Sequence, residues 1–248
     1  MKDIILITGA SRGIGAQIAL LGAQKGYRVA LNYLRNSEAA NAVVKQITDS
    51  GGEAIALQAD VGQSDSVKKM FQALDQTWGA PKVLVNNAGL LTSFRVEDVN
   101  EKNIDEIFRA NVYSAYFCSR EAILRMSTKK GGSGGAIVNI SSVASRLGGL
   151  GGGSAYAATK GAIDSFNLAL AKELGSEGIR VNAIRPGLIR TTIHEAQGGL
   201  AHIEQVAKTV VPLGRMGVPE EVAQVVMWLA SDAASYVHGT TIDVAGGR

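Results

Sequence analysis

Tyr156 and Lys160 stand four residues apart in Ser154-Ala155-Tyr156-Ala157-Ala158-Thr159-Lys160, a spacing that puts both on one face of a helix. A free phenol has a pKa of about 10, which makes it a sluggish proton exchanger at neutral pH. An ammonium one turn away favours the phenolate by roughly 1–4 kcal/mol, or about one to three pKa units. Such a pair could handle the proton that a carbonyl oxygen takes up when hydride reaches its carbon. The bland alternative is a solvated tyrosine beside a surface lysine, and the pair alone does not separate the two.

Other groups along the chain do. Ser142 closes the run Asn139-Ile140-Ser141-Ser142, where a hydroxyl could bond and orient the same oxygen, with Ser141 as the competitor. Asn111 lies inside a helical pattern, in which asparagine is an indifferent helix former. Thr8-Gly9-Ala10-Ser11-Arg12-Gly13-Ile14-Gly15 follows an apolar run and opens a helical one. Glycines there permit a tight turn and let backbone approach a pyrophosphate, while the helix start offers unpaired N–H groups. About twenty residues further on, where NAD-binding sheets usually place an acid, stands Asn32. No carboxylate there would repel a 2′-phosphate, and Arg12 and Arg35 could pair with one. NADP is the expected cofactor, with NAD possible.

These groups need elements to hold them. Continuous apolar runs at Ile4–Ile7, 28–32, 54–57, 83–85, 136–140, 180–184 and 240–244 read as strands covered on both faces. Helical periods fall near 13–25, 37–50, 64–78, 101–127, 156–177 and 220–231, the last opened by Pro219-Glu220-Glu221. Seven strands alternating with six helices imply an α/β, doubly wound parallel sheet in one domain, residues 1–248. The segment 191–211 breaks the alternation and is expected to be a mobile lid over the carboxyl ends of the strands.

Composition narrows the function classes. Hydrophobic residues at 46% and charged residues at 19% describe a globular chain and argue against disorder. The net charge of +3 is scattered, so no basic stripe suggests nucleic acid despite a pI near 9.0. Cys118 stands alone, which excludes an internal disulfide and suits a reducing compartment. No signal peptide opens the chain and no run reaches membrane-spanning length, so a cytoplasmic location is expected. His194 and His202 lack a ligand constellation, and no metal is expected.

Over essentially its whole length the chain resembles the short-chain dehydrogenase/reductase family. The resemblance is carried by Thr8 to Gly15, Asn86-Asn87-Ala88-Gly89, Asn111, Ser142, Tyr156-x-x-x-Lys160 and Pro186-Gly187 with Thr191, in family order. It implies a Rossmann-type fold and a catalytic set of Asn111, Ser142, Tyr156 and Lys160. Within that set Asn111 would hold a water linking Lys160 to solvent, and Lys160 would also bind the nicotinamide ribose. The implied cofactor contacts are Gly9, Ser11, Arg12, Gly13, Ile14, Gly15, Asn32, Arg35, Asp60, Val61, Asn87, Ala88, Gly89, Pro186, Gly187, Ile189 and Thr191, with Asp60-Val61 at the adenine. A homotetramer is implied too, paired through the small residues Ala157, Ala158, Gly161, Ala162 and Ser165.

The expected reaction is hydride transfer between NADP and a carbonyl or secondary alcohol, with a sugar or other small alcohol as substrate. A 3-oxoacyl reductase acting on an acyl carrier protein ranks second, because Glu177 would repel an acidic carrier. A non-catalytic dinucleotide sensor is the reading from another class, and it has no use for Ser142, Tyr156 and Lys160.

Overall fold

Ile4-Ile5-Leu6-Ile7 forms the first strand, β1 (Ile4–Ile7), and its side chains divide alternately between two cores. Ile5 and Ile7 face one cluster with Ile18, Val29, Leu31, Val138 and Val226, while Ile4 and Leu6 face the other with Phe71, Leu84, Cys118, Ile137 and Leu170. An unbroken apolar run is therefore what a strand covered on both faces requires. The computed structural model describes residues 2–193 and 198–248.

The chain continues through α1 (Gly13–Gln24), β2 (Arg28–Tyr33), α2 (Ser37–Asp49), β3 (Glu53–Gln58), α3 (Ser64–Thr77) and β4 (Val83–Asn86). Next come α4 (Glu101–Phe108), α5 (Ser114–Met126), β5 (Gly135–Ile140), α6 (Ala144–Leu147) and α7 (Ser154–Leu174). It closes with β6 (Ile179–Pro186), α8 (Gly199–Val210), α9 (Pro219–Ala230) and β7 (Thr241–Val244). The sheet runs β3-β2-β1-β4-β5-β6-β7, and all its pairings are parallel. The strand order reverses between β1 and β4, and a ligand crevice is expected at the carboxyl ends beside that point. Helices α1, α2 and α9 cover one face; α3, α5 and α7 cover the other.

Two helical segments depart from the sequence expectation. The single helix expected over 101–127 is interrupted by a π turn, Arg109–Tyr113, between α4 and α5. The irregular stretch expected over 191–211 contains α8, whose Ile203 and Ala207 are fully buried against Leu188, Val211 and Met216. Ile203, Val206, Ala207 and Val210 follow the i, i+3, i+4, i+7 spacing of a helix, a signal that the reading of this stretch as irregular passed over. His202 lies on the exposed side of α8, and His194 lies outside the described residues.

Candidate active site

At the carboxyl ends of β1 and β4 two turns are stapled together. Thr8 accepts hydrogen bonds on Oγ1 from the N–H groups of Asn87 (3.0 Å) and Ala88 (2.9 Å). Asn87 returns the contact, its Nδ2 donating to the carbonyls of Thr8 (2.8 Å) and Gly9 (3.0 Å). This closeness dictates glycine. A Cβ on Gly9, whose φ is +62°, would stand 2.9 Å from Ala88 Cα, and one on Gly15 would stand 2.5 Å from Asn87 Nδ2. Arg12 caps α1 in an extended conformation without a side-chain cap bond, so first-turn N–H groups of Gly13 to Gly15 face the crevice without intrahelical acceptors. Thr191 closes over this turn, near Gly13.

Asn32 corrects the sequence reading. It borders the crevice, but its side chain is buried and engaged within the protein. Oδ1 accepts from the Gly9 N–H (3.2 Å), while Nδ2 faces the carbonyls of Tyr33 (3.3 Å), Leu57 (3.2 Å) and Ala59 (3.1 Å). The amide thus supports the glycine turn and has nothing left to offer a ribose. Tyr33, Leu34 and Arg35 follow it around the rim. Arg12, at the start of α1, and Arg35, just past β2, are exposed and engage no carboxylate among the described residues. Asp60 holds its own loop through Gly62 N–H (2.9 Å) and, with the buried Val61, borders the same space.

The proton-handling residues meet on the other side of the crevice. Ser142 follows β5, accepts from the Ala144 N–H (3.1 Å) and lines the crevice with half-buried Tyr156, close enough to its phenol to pull its pKa downward. Ser141 is excluded from that role, because its hydroxyl is buried and donates to the Lys160 carbonyl (3.1 Å). Lys160 is 4% exposed; its Nζ donates to the Ile140 carbonyl (2.8 Å) and lies 5.7 Å from the Tyr156 ring centre. Asn111 sits in the π turn, buried. It accepts from Leu90 N–H (2.6 Å) and donates to the Leu90 carbonyl (3.0 Å) and Thr159 Oγ1 (2.9 Å). Its side chain thereby ties the loop after β4 to α7.

Electrostatics overturn one expectation. Burial pushes the Tyr156 phenol up to about 12, with the Ser142 hydroxyl pulling the other way. Burial also pulls Lys160 down to about 8, opposed by the Asp164 carboxylate. The ammonium spends a bond on Ile140 rather than on the phenol, so desolvation outweighs its attraction. By the chain's own groups, Tyr156 is a protonated phenol at neutral pH. Cys118 is fully buried and its thiol is pushed upward by burial, leaving it inert.

One layer was missed in the sequence. Asn86 Nδ2 donates to Ser119 Oγ (3.0 Å) and Asn139 Oδ1 (2.9 Å), Asn139 donates to Asn167 (3.1 Å), and Asn167 to the Thr240 carbonyl (3.0 Å). This buried network ties β4, β5, α5 and α7 together beneath the site. The available signal was an asparagine closing one apolar strand run, Asn86, and another inside the next, Asn139.

The crevice measures about 740 Å³, within the range of small-molecule sites. Its lining gathers every expected site residue except Asn111, which stands behind Leu90: Gly9, Ser11 to Gly15, Asn32, Arg35, Asp60, Val61, Asn87 to Gly89, Ser142, Tyr156, Lys160, Pro186, Gly187, Ile189 and Thr191. The donor set fits a dinucleotide, with backbone N–H groups for a pyrophosphate at one end and Lys160 for ribose hydroxyls at the other. Among the described residues no cluster of His, Cys, Asp and Glu suits a metal, and no helix is long and apolar enough to cross a membrane.

Comparison with known proteins agrees with this geometry. The family model described as enoyl-(acyl carrier protein) reductase matches residues 9–248. The uncharacterized oxidoreductase YgfF of Escherichia coli is 50% identical over 246 residues, covering 99% of each chain. The 3-oxoacyl-[acyl-carrier-protein] reductase FabG of Staphylococcus aureus is 38% identical, covering 100% of this chain and 98% of its own. A doubly substituted mutant of a Serratia marcescens short-chain dehydrogenase/reductase superposes with a TM-score of 0.89 at 32% identity, covering 99% of this chain and 97% of its own.

Proposed function

The chain belongs to the short-chain dehydrogenase/reductase family, and from that premise we propose that it reduces a small ketone or aldehyde with NADPH. The observation that carries the reading is the Ser142–Tyr156 hydroxyl pair, with Lys160 beneath it, facing the crevice that holds the glycine turn. Bound NADPH would supply the hydride. Ser142 orients the substrate oxygen, and Tyr156, protonated at working pH, donates the proton that the nascent alkoxide needs. Lys160 holds ribose hydroxyls. Any water leading from Lys160 toward solvent would meet the backbone of the π turn, since the Asn111 side chain is already engaged.

NADP over NAD is supported by Arg12 and Arg35 at the rim and by the absence of an acid at Tyr33 and Leu34 beside them. A sugar is no longer the favoured substrate. Beyond Ser142 and Tyr156 the substrate side is walled by Val143, Ala144, Leu147, Leu150, Leu188 and Ile193, which cannot replace the water a polyol would lose. The same wall favours the second reading, a carrier-linked 3-oxoacyl reductase. Glu177 does not argue against it as the sequence suggested. It lies before β6, roughly 26 Å along the strand from Pro186, and its carboxylate is engaged by Ser127 and Lys129.

We further propose that the segment 191–211, of which 194–197 lie outside the described residues, covers bound substrate, that the protein is cytoplasmic and that it is a homotetramer. Ala158 and Ser165 are exposed on α7 beside half-exposed Leu168, and a Cβ on Gly161 would meet open space, so this face is unpacked within the subunit. Light scattering at micromolar concentration should give four times the chain mass; a monomer contradicts the assembly. The catalytic test is NADPH absorbance with a panel of ketones, aldehydes, sugars and a 3-oxoacyl thioester. Apolar ketones or aldehydes should be consumed fastest. Preference for the thioester by a hundredfold would promote the second reading.

A further inference from the structure

Between α6 and α7 the run Gly148-Gly149-Leu150-Gly151-Gly152-Gly153 presents a single side chain. The glycines have backbone reasons: φ is +79°, +79° and +76° at Gly148, Gly149 and Gly152, and a Cβ on Gly152 would meet Ser93 Oγ at 2.5 Å. Gly151 is different, since its φ is ordinary and a Cβ there would meet nothing. The turn is pinned. Gly153 N–H donates to the Leu150 carbonyl (2.9 Å), Ser93 Oγ to that of Gly151 (2.9 Å), and Phe94 N–H to that of Gly152 (3.0 Å).

Leu150 is therefore held in place on two sides. It lines the crevice with Ser142 and Tyr156, and it packs against the cluster of Leu188, Ile203, Ala207, Val211 and Met216 that seats α8. One leucine touches both the substrate space and the helix above it. We propose that Leu150 sets the depth of the substrate chamber, and that the chamber takes a carbonyl compound bearing an apolar tail. This rests on the reductase reading and narrows its substrate class. The neighbouring Gly149 and Gly153 border the chamber with backbone alone, so on this stretch the only side chain that sets its volume is that of residue 150.

The test uses NADPH-saturated enzyme and straight-chain alkyl amides from propionamide to decanamide, carbonyl analogues that cannot be reduced by hydride from this cofactor. Binding is read from NADPH fluorescence in wild type, Leu150→Ala, Leu150→Phe and Gly151→Ala. The matching 2-alkanones are assayed for kcat/KM. Affinity in wild type should tighten by about fourfold per methylene until the chamber is filled. Leu150→Ala should weaken the shorter amides by about tenfold and move the optimum to longer chains, while Leu150→Phe moves it to shorter ones. Gly151→Ala should leave the profile unchanged, and NADPH affinity should be the same in all four proteins. An optimum that does not move between the two Leu150 variants overturns the proposal, as does tighter binding of a sugar than of every amide. A shifting amide optimum without ketone turnover supports the chamber and counts against the reductase reading; ketone turnover with an unmoved optimum does the reverse.

Discussion

The cofactor end and the substrate end of one crevice are built from different material. At the cofactor end the working surface is backbone, and the side chains of Thr8, Asn32 and Asn87 point inward to hold two turns against each other. At the substrate end the surface is side chain, with Leu147, Leu150, Leu188 and Ile193 bounding a space that opens onto two hydroxyls. Stereochemistry fixes the first: glycine or a specific hydrogen-bonding group is required, and few substitutions are allowed. Volume fixes the second, and many apolar residues can supply it. A fixed cofactor end with an adjustable substrate end follows from dividing the crevice in this way.

The largest expected effect joins the two ends at Lys160, to which the proposed function gives a part in both ribose binding and proton transfer. Lys160→Met should lower kcat by about a thousandfold and weaken NADPH. Stability should not fall, because the folded-state pKa is depressed to about 8. A depressed lysine is a cost to folding below that pH, recovered as pH rises from about 8 toward the unfolded value. Urea titration at neutral pH checks it, and a marked loss of stability would show that the ammonium is a structural tie.

Asn32→Asp asks whether the cofactor end tolerates change. The substitution would turn a carboxylate toward three carbonyl oxygens, and should destabilise the fold by about 3 kcal/mol. A stable protein with its preference switched to NADH would restore the sequence-based view of that position. Arg35→Ala should weaken NADPH by about tenfold to a hundredfold and leave NADH unchanged, read as dissociation constants at one ionic strength. Equal losses for both cofactors would remove Arg35 from phosphate recognition.

For reduction itself the smallest effect is that of pH. Reduction uses the protonated phenol, so its rate should be flat from pH 6 to about 8, since Tyr156 is held up to about 12. Alcohol oxidation needs the phenolate and should rise by up to about tenfold per pH unit over the same range. Above about 8 both should lose cofactor affinity as Lys160 gives up its charge. A reduction rate that falls steadily from pH 6 would place the phenol pKa far lower.

How much of this was legible in the sequence follows the same division. The strands were visible because burial on both faces demands unbroken apolar runs, as in Ile4–Ile7. The glycine turn and the Tyr156–Lys160 pair were visible because their spacing is tied to backbone geometry, whereas Ser142 was chosen over Ser141 by the family resemblance. Asn32 misled because its position along the strand was read without knowing which way its side chain turns. The break at Asn111 was hidden, since a π turn keeps helical periodicity on either side of it. Leu150 carried no signal of its own; only the fold shows that five glycines leave it alone on that wall.

The central claim is that Tyr156 supplies the proton, with Ser142 and Lys160 in supporting roles. The direct measurement is ketone reduction by Tyr156→Phe, with NADPH affinity determined on the same sample. Turnover should fall by at least about a thousandfold while NADPH binds within threefold of wild type. Turnover within tenfold of wild type would contradict the assignment.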